Sequence, residues 1–338
     1  MAQAKQKGHY SGIGGQAVIE GIMMKNKDRY SVAVRTQSGD IEVALEDYES
    51  SVPIKALEKI PFIRGIFNFI DSLVLGTKTL TYSASFYEEA DEKQKEKPID
   101  RLWGEHSEKI LNTISVIISV AIAVGLFMLL PYFLSQLLRK WIISDVAIAA
   151  FEGLIRVLIF VLYIVLISLM KDIQRVFMYH GAEHKCINCL ETGHELTVEN
   201  VRNASRVHKR CGTSFLFYVV FVSVILFIFI RVSDPIMRVV VRLLLIPVIA
   251  GISYEIIRLA GRSNNIFVLA LSAPGLWLQK LTTREPDDSM IEVGIAAVSA
   301  VFDWKEYLSK EFGIEGSIEP SEEVQNTEAQ FENSEIDE

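Results

Sequence analysis

The sequence predicts a mainly α-helical, polytopic membrane protein. It should have about four transmembrane helices, interfacial or re-entrant helices beside them, and a small N-terminal β-meander. Three observations predict this. Ile110 to Leu138 is a run of 29 residues without Asp, Glu, Lys, Arg or His, and about 20 apolar residues suffice to cross a bilayer. Three more long apolar stretches follow between residues 146 and 260. Ahead of them, β-rich runs at Tyr30–Arg35 and Ile41–Leu45 flank the turn signal Gln37-Ser38-Gly39-Asp40. The 338 residues are 50% hydrophobic and 22% charged, with mean hydropathy +0.28. That balance excludes a purely soluble protein.

Residues 1–11 read as a flexible arm, with lysines but neither the apolar core nor the cleavage site of a signal peptide. Residues 12–53 read as a small β-rich cytoplasmic domain. Its Gly12-Ile13-Gly14-Gly15 opening can hold left-handed turns or let backbone approach a ligand, but it lacks the lysine and hydroxyl of a phosphate loop. In residues 54–87, Arg64, Asp71 and Lys78 interrupt an apolar run, the pattern of an amphipathic or interfacial helix. Residues 88–109 are a charged linker. Residues 110–260 form a four-helix membrane domain with spans near 110–135, 146–170, 213–230 and 239–260, and a His/Cys-rich loop at 171–212. In residues 261–281, the apolar piece Ile266 to Gln279 is short and broken by Pro274-Gly275, which suggests a re-entrant or interfacial segment. Residues 282–312 form a helical segment, with Ser289 and Glu292 as a capping box opening a helix to about Lys310. Residues 313–338 read as a disordered acidic tail.

Lys and Arg near the spans set the orientation. Fifteen of them fall in residues 93–109, 171–212 and 261–285, against five in the connections at 139–145 and 231–242. The short connections are nonetheless rich in arginine per residue. The long loop and both termini are placed in the cytoplasm, in a multi-pass protein of the cytoplasmic membrane. The net charge of −8 has much of its origin after Glu315. All three cysteines lie between Cys186 and Cys211 and make no disulfide framework. No basic patch with interleaved aromatics appears, so no nucleic-acid partner is expected. The expected partners are the lipid bilayer and a membrane-associated substrate or protein.

Four of the six histidines also fall between residues 180 and 211. On a helix, His180 and His184 share a face, about 6 Å apart, with Glu183 beside them. H-x-x-E-H is the order of an inverted zincin motif, whose Glu polarises a metal-bound water. If the preceding span continues as a helix through Tyr179, His180 stands roughly 15 Å beyond the membrane. Two readings weigh against this one. Three fixed positions in five recur by chance, and Gly181 is a poor helix former. A rival metal site also exists: Cys186-x2-Cys189 followed by His208-x2-Cys211 has the ligands and spacing of a structural zinc knuckle. Cysteines alone are more simply small buried hydrophobes.

Other ionisable groups carry weaker signals. Glu255 lies within the fourth span, where it could pair with Arg258 or supply a further carboxylate to the metal. Glu152 and Arg156 look like an internal pair. Glu285, Asp287 and Asp288 precede a helix, and helix-dipole complementarity explains them as well as metal binding does.

Several blocks together resemble a known family: Gly14-Gly15-Gln16-Ala17-Val18-Ile19-Glu20-Gly21-Ile22-Met23-Met24, His180-Gly-Ala-Glu-His-Lys185, Leu196 to Val201, His208 to Phe215, and Ser272 to Asp288. They are similar to the YqhQ-type family of bacterial membrane proteins, described as predicted metal-dependent enzymes. The resemblance covers about residues 12–308. It implies a metal role for His180, Glu183, His184 and His208, without naming a reaction. The chain departs from the family pattern at Lys209, where proline is usual, and at Asn26-Lys27, where Gly-Pro is common. At Cys186 the family often has Thr or Val, which weakens the four-ligand knuckle.

The expected function is a membrane-embedded metal-dependent hydrolase at the cytoplasmic face. A divalent metal, zinc by its ligands, would be held by His180, His184 and His208, with Cys211, Glu255 or Cys189 as additional ligands. Glu183 would be the general base, and Gly14, Gly15 and Glu20 would form the substrate side. The alternative is a non-enzymatic scaffold or assembly factor with a structural metal. Transport is a weaker third reading, because no internal repeat is visible.

Overall fold

The computed structural model describes residues 9–50, 57, 60–87, 107–230, 232, 234–263 and 265–314. Most of the arm, most of the charged linker and nearly all of the acidic tail lie outside the described residues; the linker's last three positions, 107–109, are helical.

The chain opens with four antiparallel strands in the order β1-β2-β3-β4: β1 Gly14–Val18, β2 Gly21–Asn26, β3 Arg29–Arg35 and β4 Ile41–Asp47. Period-two alternation gives the sheet two apolar faces. Val18, Met23, Val32 and Val34 face one way and pack on Leu75 of α1 (Ile63–Ala84). Ile22, Met24 and Ala33 face the other way, against α5 (Lys171–Glu191) and α10 (Asp288–Val301). This sandwich is the core of the molecule.

Four helices are long and apolar enough to cross a membrane, by length and composition: Thr113–Lys140, Asp145–Ser168, Gly212–Phe229 and Ile236–Arg262. The first is composite, running as α2 (Ser107–Val124), a π-helical turn at Gly125–Leu129 and α3 (Leu130–Leu137). The others are α4 (Asp145–Ser168), α7 (Gly212–Phe229) and α8 (Pro235–Arg262). The short α6 (Val198–Asn203) joins α5 to the segment that leads into α7.

Five expectations need correction. The second span does not continue into the histidine helix: α4 ends at Ser168 and α5 starts anew at Lys171. The freed carbonyls at this break are satisfied from outside, Ser168 by Arg284 at 3.0 Å and Leu169 by Gln174 at 3.2 Å. Residues 171–212 are largely helical rather than a loop. Ile266 to Gln279 is not broken at Pro274-Gly275. It lies in one helix, α9 (Ile266–Thr282), and Gly275 lets it approach α7, since a Cβ there would meet Ser214 Oγ at 2.9 Å. Finally, α10 is capped by Asp287, which accepts from the Met290 N–H at 3.0 Å, while Glu292 turns to Arg35 at 2.9 Å. That helix also stops at Val301, because Asp303 starts α11 (Trp304–Phe312) by accepting from the Glu306 N–H.

Candidate functional site

α5 lies along β1 and presents His180, Glu183 and His184 on one side. Its apolar residues Ala182, Cys186, Ile187 and Leu190 enter the core. Gly181 has a steric reason. A Cβ there would stand 2.0 Å from the carbonyl oxygen of Arg284, so the segment after α9 can cross α5 only over a glycine. That segment donates its Arg284 N–H to the Phe177 carbonyl at 2.8 Å. It thereby brings the Thr282 carbonyl within 2.9 Å of His180 Nδ1.

His184 is held in the same way, with Nδ1 2.7 Å from the Arg206 carbonyl. A carbonyl oxygen only accepts, so each Nδ1 carries the proton and each Nε2 offers its lone pair. The two rings stand 4.4 Å apart between centroids. His180 Nε2 is 3.2 Å from Cys211 Sγ. Cys211 is the N-cap of α7, and its sulfur also accepts from the Thr213 N–H at 3.3 Å. The ligand atoms of His180, His184 and Cys211 all lie within 4.8 Å of one another, and no other such group of His, Cys, Asp and Glu occurs among the described residues.

Glu183 adjoins this trio, with Oε2 3.8 Å from His180 Nε2 and 3.9 Å from His184 Nε2. Burial pushes its pKa up to about 7, against the lowering effects of His180 and of the Gly15 N–H that donates to it. A Cβ on Gly15 would meet Glu183 Cγ at 2.8 Å. Gly15 therefore reaches the site as backbone. Gly14 is exposed with open space around it. Glu20 pairs instead with Arg175 and the Tyr179 hydroxyl.

The remaining sequence candidates sit elsewhere. His208 faces Glu191 rather than the trio, its Nε2 3.5 Å from Glu191 Oε2, while its ring centroid is 5.8 Å from that of His184. Burial lowers His208 to about 4. Burial would raise Glu191, but His208, Arg210 and the Ser11 N–H together hold it down to about 2. Glu255 is engaged by Arg64, not Arg258 and not the trio, at 2.7 and 2.5 Å. The zinc knuckle is not assembled. Cys186 Sγ packs at Gly294, and Cys189 donates to the His194 and Glu195 carbonyls, its thiol pushed up to about 12 by burial. The acidic cluster is spent on Lys185, the α10 cap and Arg202.

Cys211 is thus the third member of the trio where His208 was expected. Its sequence signal is its place directly before the third span, which puts it at a helix N-terminus. Gln279 gives no sequence signal. It accepts from the His208 N–H at 2.9 Å and donates to the His208 carbonyl and Ser214 Oγ at 2.7 Å each. This anchors the segment that carries Cys211 and the Arg206 carbonyl.

A family model with the description "Protein of unknown function (DUF1385)" matches residues 60–304. The chain belongs to the DUF1385 family. The protein of Bacillus subtilis (strain 168) named "Uncharacterized protein YqhQ" is 39% identical over 289 residues, covering 83% of this chain and 89% of that protein. No solved structure matches. Within the DUF1385 match lie all three members of the trio and Glu183, whereas Gly15 lies before it.

Proposed function

We propose that this DUF1385 protein is a divalent-metal-dependent hydrolase working at the cytoplasmic face of a membrane. The observation that carries the reading is the locking of both imidazoles. His180 and His184 each commit Nδ1 to a backbone carbonyl and turn Nε2 toward Cys211, with a buried carboxylate beside them. Metal-binding histidines are oriented in this manner by their outer partners. Two imidazoles and a thiolate are zinc ligands, and three protein ligands leave a coordination position open. His180, His184 and Cys211 would hold the ion, which when bound supplies Lewis acidity toward a carbonyl or phosphoryl oxygen.

The chain's own residues do the rest. Glu183, poised near 7, accepts a proton at Oε2 and returns it, as a general base and then acid should near neutrality. Gly15 holds that carboxylate through its N–H. Cys211 stands immediately before a candidate span, which favours a scissile bond close to the bilayer. Arg206, Arg210 and Arg284 around the site are committed to Glu285, Glu191 and the Ser168 carbonyl respectively. With no arginine fork facing the trio from these three, a peptide bond suits the site better than a phosphate ester.

The cytoplasmic placement is supported by the distribution of Lys and Arg and by three free cysteines. A structural metal in a scaffold protein is the second reading, favoured by the burial of His184 and Cys211. Glu183→Gln separates the two. The hydrolase should keep its metal and lose cleavage of membrane-protein substrates, together with its cellular role. A variant that complements a deletion as well as wild type would leave the scaffold.

A further inference from the structure

The first half of α1 runs beside the spans rather than on their surface. Its crossing with α8 is backbone-close: a Cβ on Gly65 would meet Tyr254 Cβ at 2.7 Å and Gly251 Cα at 3.0 Å, and one on Gly251 would meet the Phe62 carbonyl at 2.7 Å. Small residues of this kind let helices approach within a bilayer. Gly251 lies eleven residues before the end of α8 at Arg262, about 16 Å along the helix. The 28-residue helix is about 42 Å long and the apolar layer about 30 Å thick, so a centred α8 holds Gly251 about 10 Å inside that layer. Going up α1, Phe69 packs on Phe215 of α7, with ring centroids 5.5 Å apart. Eleven residues after Gly65, Gly76 meets the Gln16 side chain of β1, and Ser83 accepts from the Ile19 N–H. The rise from Gly65 to Gly76 is again about 16 Å, so the sheet stands level with the end of α8.

Both charges on this stretch have local partners: the buried Asp71 accepts from the Tyr48 and Ser50 hydroxyls at 2.6 and 2.7 Å, and Arg64 faces a carboxylate of α8. Arg64 binds both oxygens of Glu255, and the Phe62 N–H donates to the same carboxylate at 3.2 Å. An intramembrane charge needs such a partner. Outward, α1 exposes Phe62, Ile70, Leu73 and Val74 at 42–58% of their surface.

We propose that Ile60 to about Val74 is a re-entrant segment. Its tip reaches toward mid-bilayer against α8, and its outer face is covered by lipid acyl chains. The depth of the Gly65–Gly251 crossing identifies lipid as the occupant, because a helix face at that level of a span looks into hydrocarbon. The inference is independent of the metal reading.

The test uses the full chain in phosphatidylcholine–phosphatidylglycerol vesicles, with single cysteines added as Phe62→Cys, Ile70→Cys and Thr81→Cys. The unsubstituted protein, whose three cysteines are buried, sets the background. Thr81→Cys, on the last turn of α1, should react with a membrane-impermeant maleimide. Phe62→Cys and Ile70→Cys should stay unlabelled over the time that saturates it. A fluorophore attached in detergent at Phe62→Cys or Ile70→Cys should be quenched by acyl-chain-brominated lipid, whereas one at Thr81→Cys should not. Labelling of Phe62→Cys and Ile70→Cys as fast as Thr81→Cys would overturn the proposal. So would protection from maleimide without quenching, which would mean that protein covers this face.

Discussion

Glu183 and His208 pull the stability of the metal-free protein in opposite directions with pH. Burial raises the folded pKa of Glu183 from 4.5 to about 7. Between those values the unfolded chain has released a proton that the folded one keeps, so stability falls as pH rises. Burial lowers His208 from 6.5 to about 4. Between those values the unfolded chain binds the extra proton, so stability rises with pH. Each effect is on the order of a few kcal/mol, and they offset one another where the windows overlap. Glu191, held down to about 2, adds acid sensitivity only below its ordinary value of 4.5. Glu183→Gln should therefore gain stability from pH ~4 to ~6.5, while wild type stays nearly flat across the overlap and then declines toward ~7. Denaturation midpoints of metal-free protein across this range check it. Parallel profiles for the two would mean that Glu183 titrates as an ordinary carboxylate.

At the scale of elements, Gly181→Ala tests the crossing that builds the site. The added methyl meets the Arg284 carbonyl at 2.0 Å, and overpacking of this kind costs about 1–3 kcal/mol. Pushing that segment off α5 also draws the Thr282 carbonyl from His180, so metal affinity should fall together with the melting temperature. Glu42→Gln, on the exposed part of β4, is the control that should change neither.

This crossing was not legible in the sequence, where Gly181 counted only against a helix. The H-x-x-E-H face was legible, because its spacing alone puts both histidines and the glutamate on one side. The partners that orient them were not, since Thr282 and Arg206 contribute carbonyls, and backbone acceptors leave no mark in residue type. Strands β3 and β4 showed through their β-rich runs. β1 was obscured by its glycines and β2 by burial on both faces. The helix break before α5 was hidden because one cap of its exposed carbonyls, Arg284 on Ser168, comes from far along the chain, and the other, Gln174, is an ordinary helix residue.

At the scale of the whole molecule, the four long apolar helices are tied together by charge as well as by apolar packing. Glu152 pairs with Arg156 at 2.8 Å, as their four-residue spacing suggested, but also with Arg242 of another span at 2.7 Å. The two guanidinium groups lie 4.7 Å from the Phe227 ring centroid, and Arg156 Nε donates to the Phe127 carbonyl in the π-helical turn. Long-range pairs such as Arg242–Glu152 and Arg64–Glu255 are invisible to local spacing, which is why Arg258 was the expected partner of Glu255. Glu152→Gln would leave two buried arginines without a counter-charge, at a cost of about 3–5 kcal/mol. Thermal unfolding in detergent should show that loss. An unchanged midpoint would mean that the arginines reach water or another anion.

His180, His184 and Cys211 should together hold one metal ion. Elemental analysis of detergent-purified protein, wild type beside His180→Ala, His184→Ala, Cys211→Ala and Cys189→Ala, tests it most directly. Wild type should hold one zinc or similar ion tightly per chain, lost in the first three variants and kept in Cys189→Ala, with each fold intact by circular dichroism. Wild type that binds no metal even after reconstitution, or metal that survives in His180→Ala or His184→Ala, would contradict it.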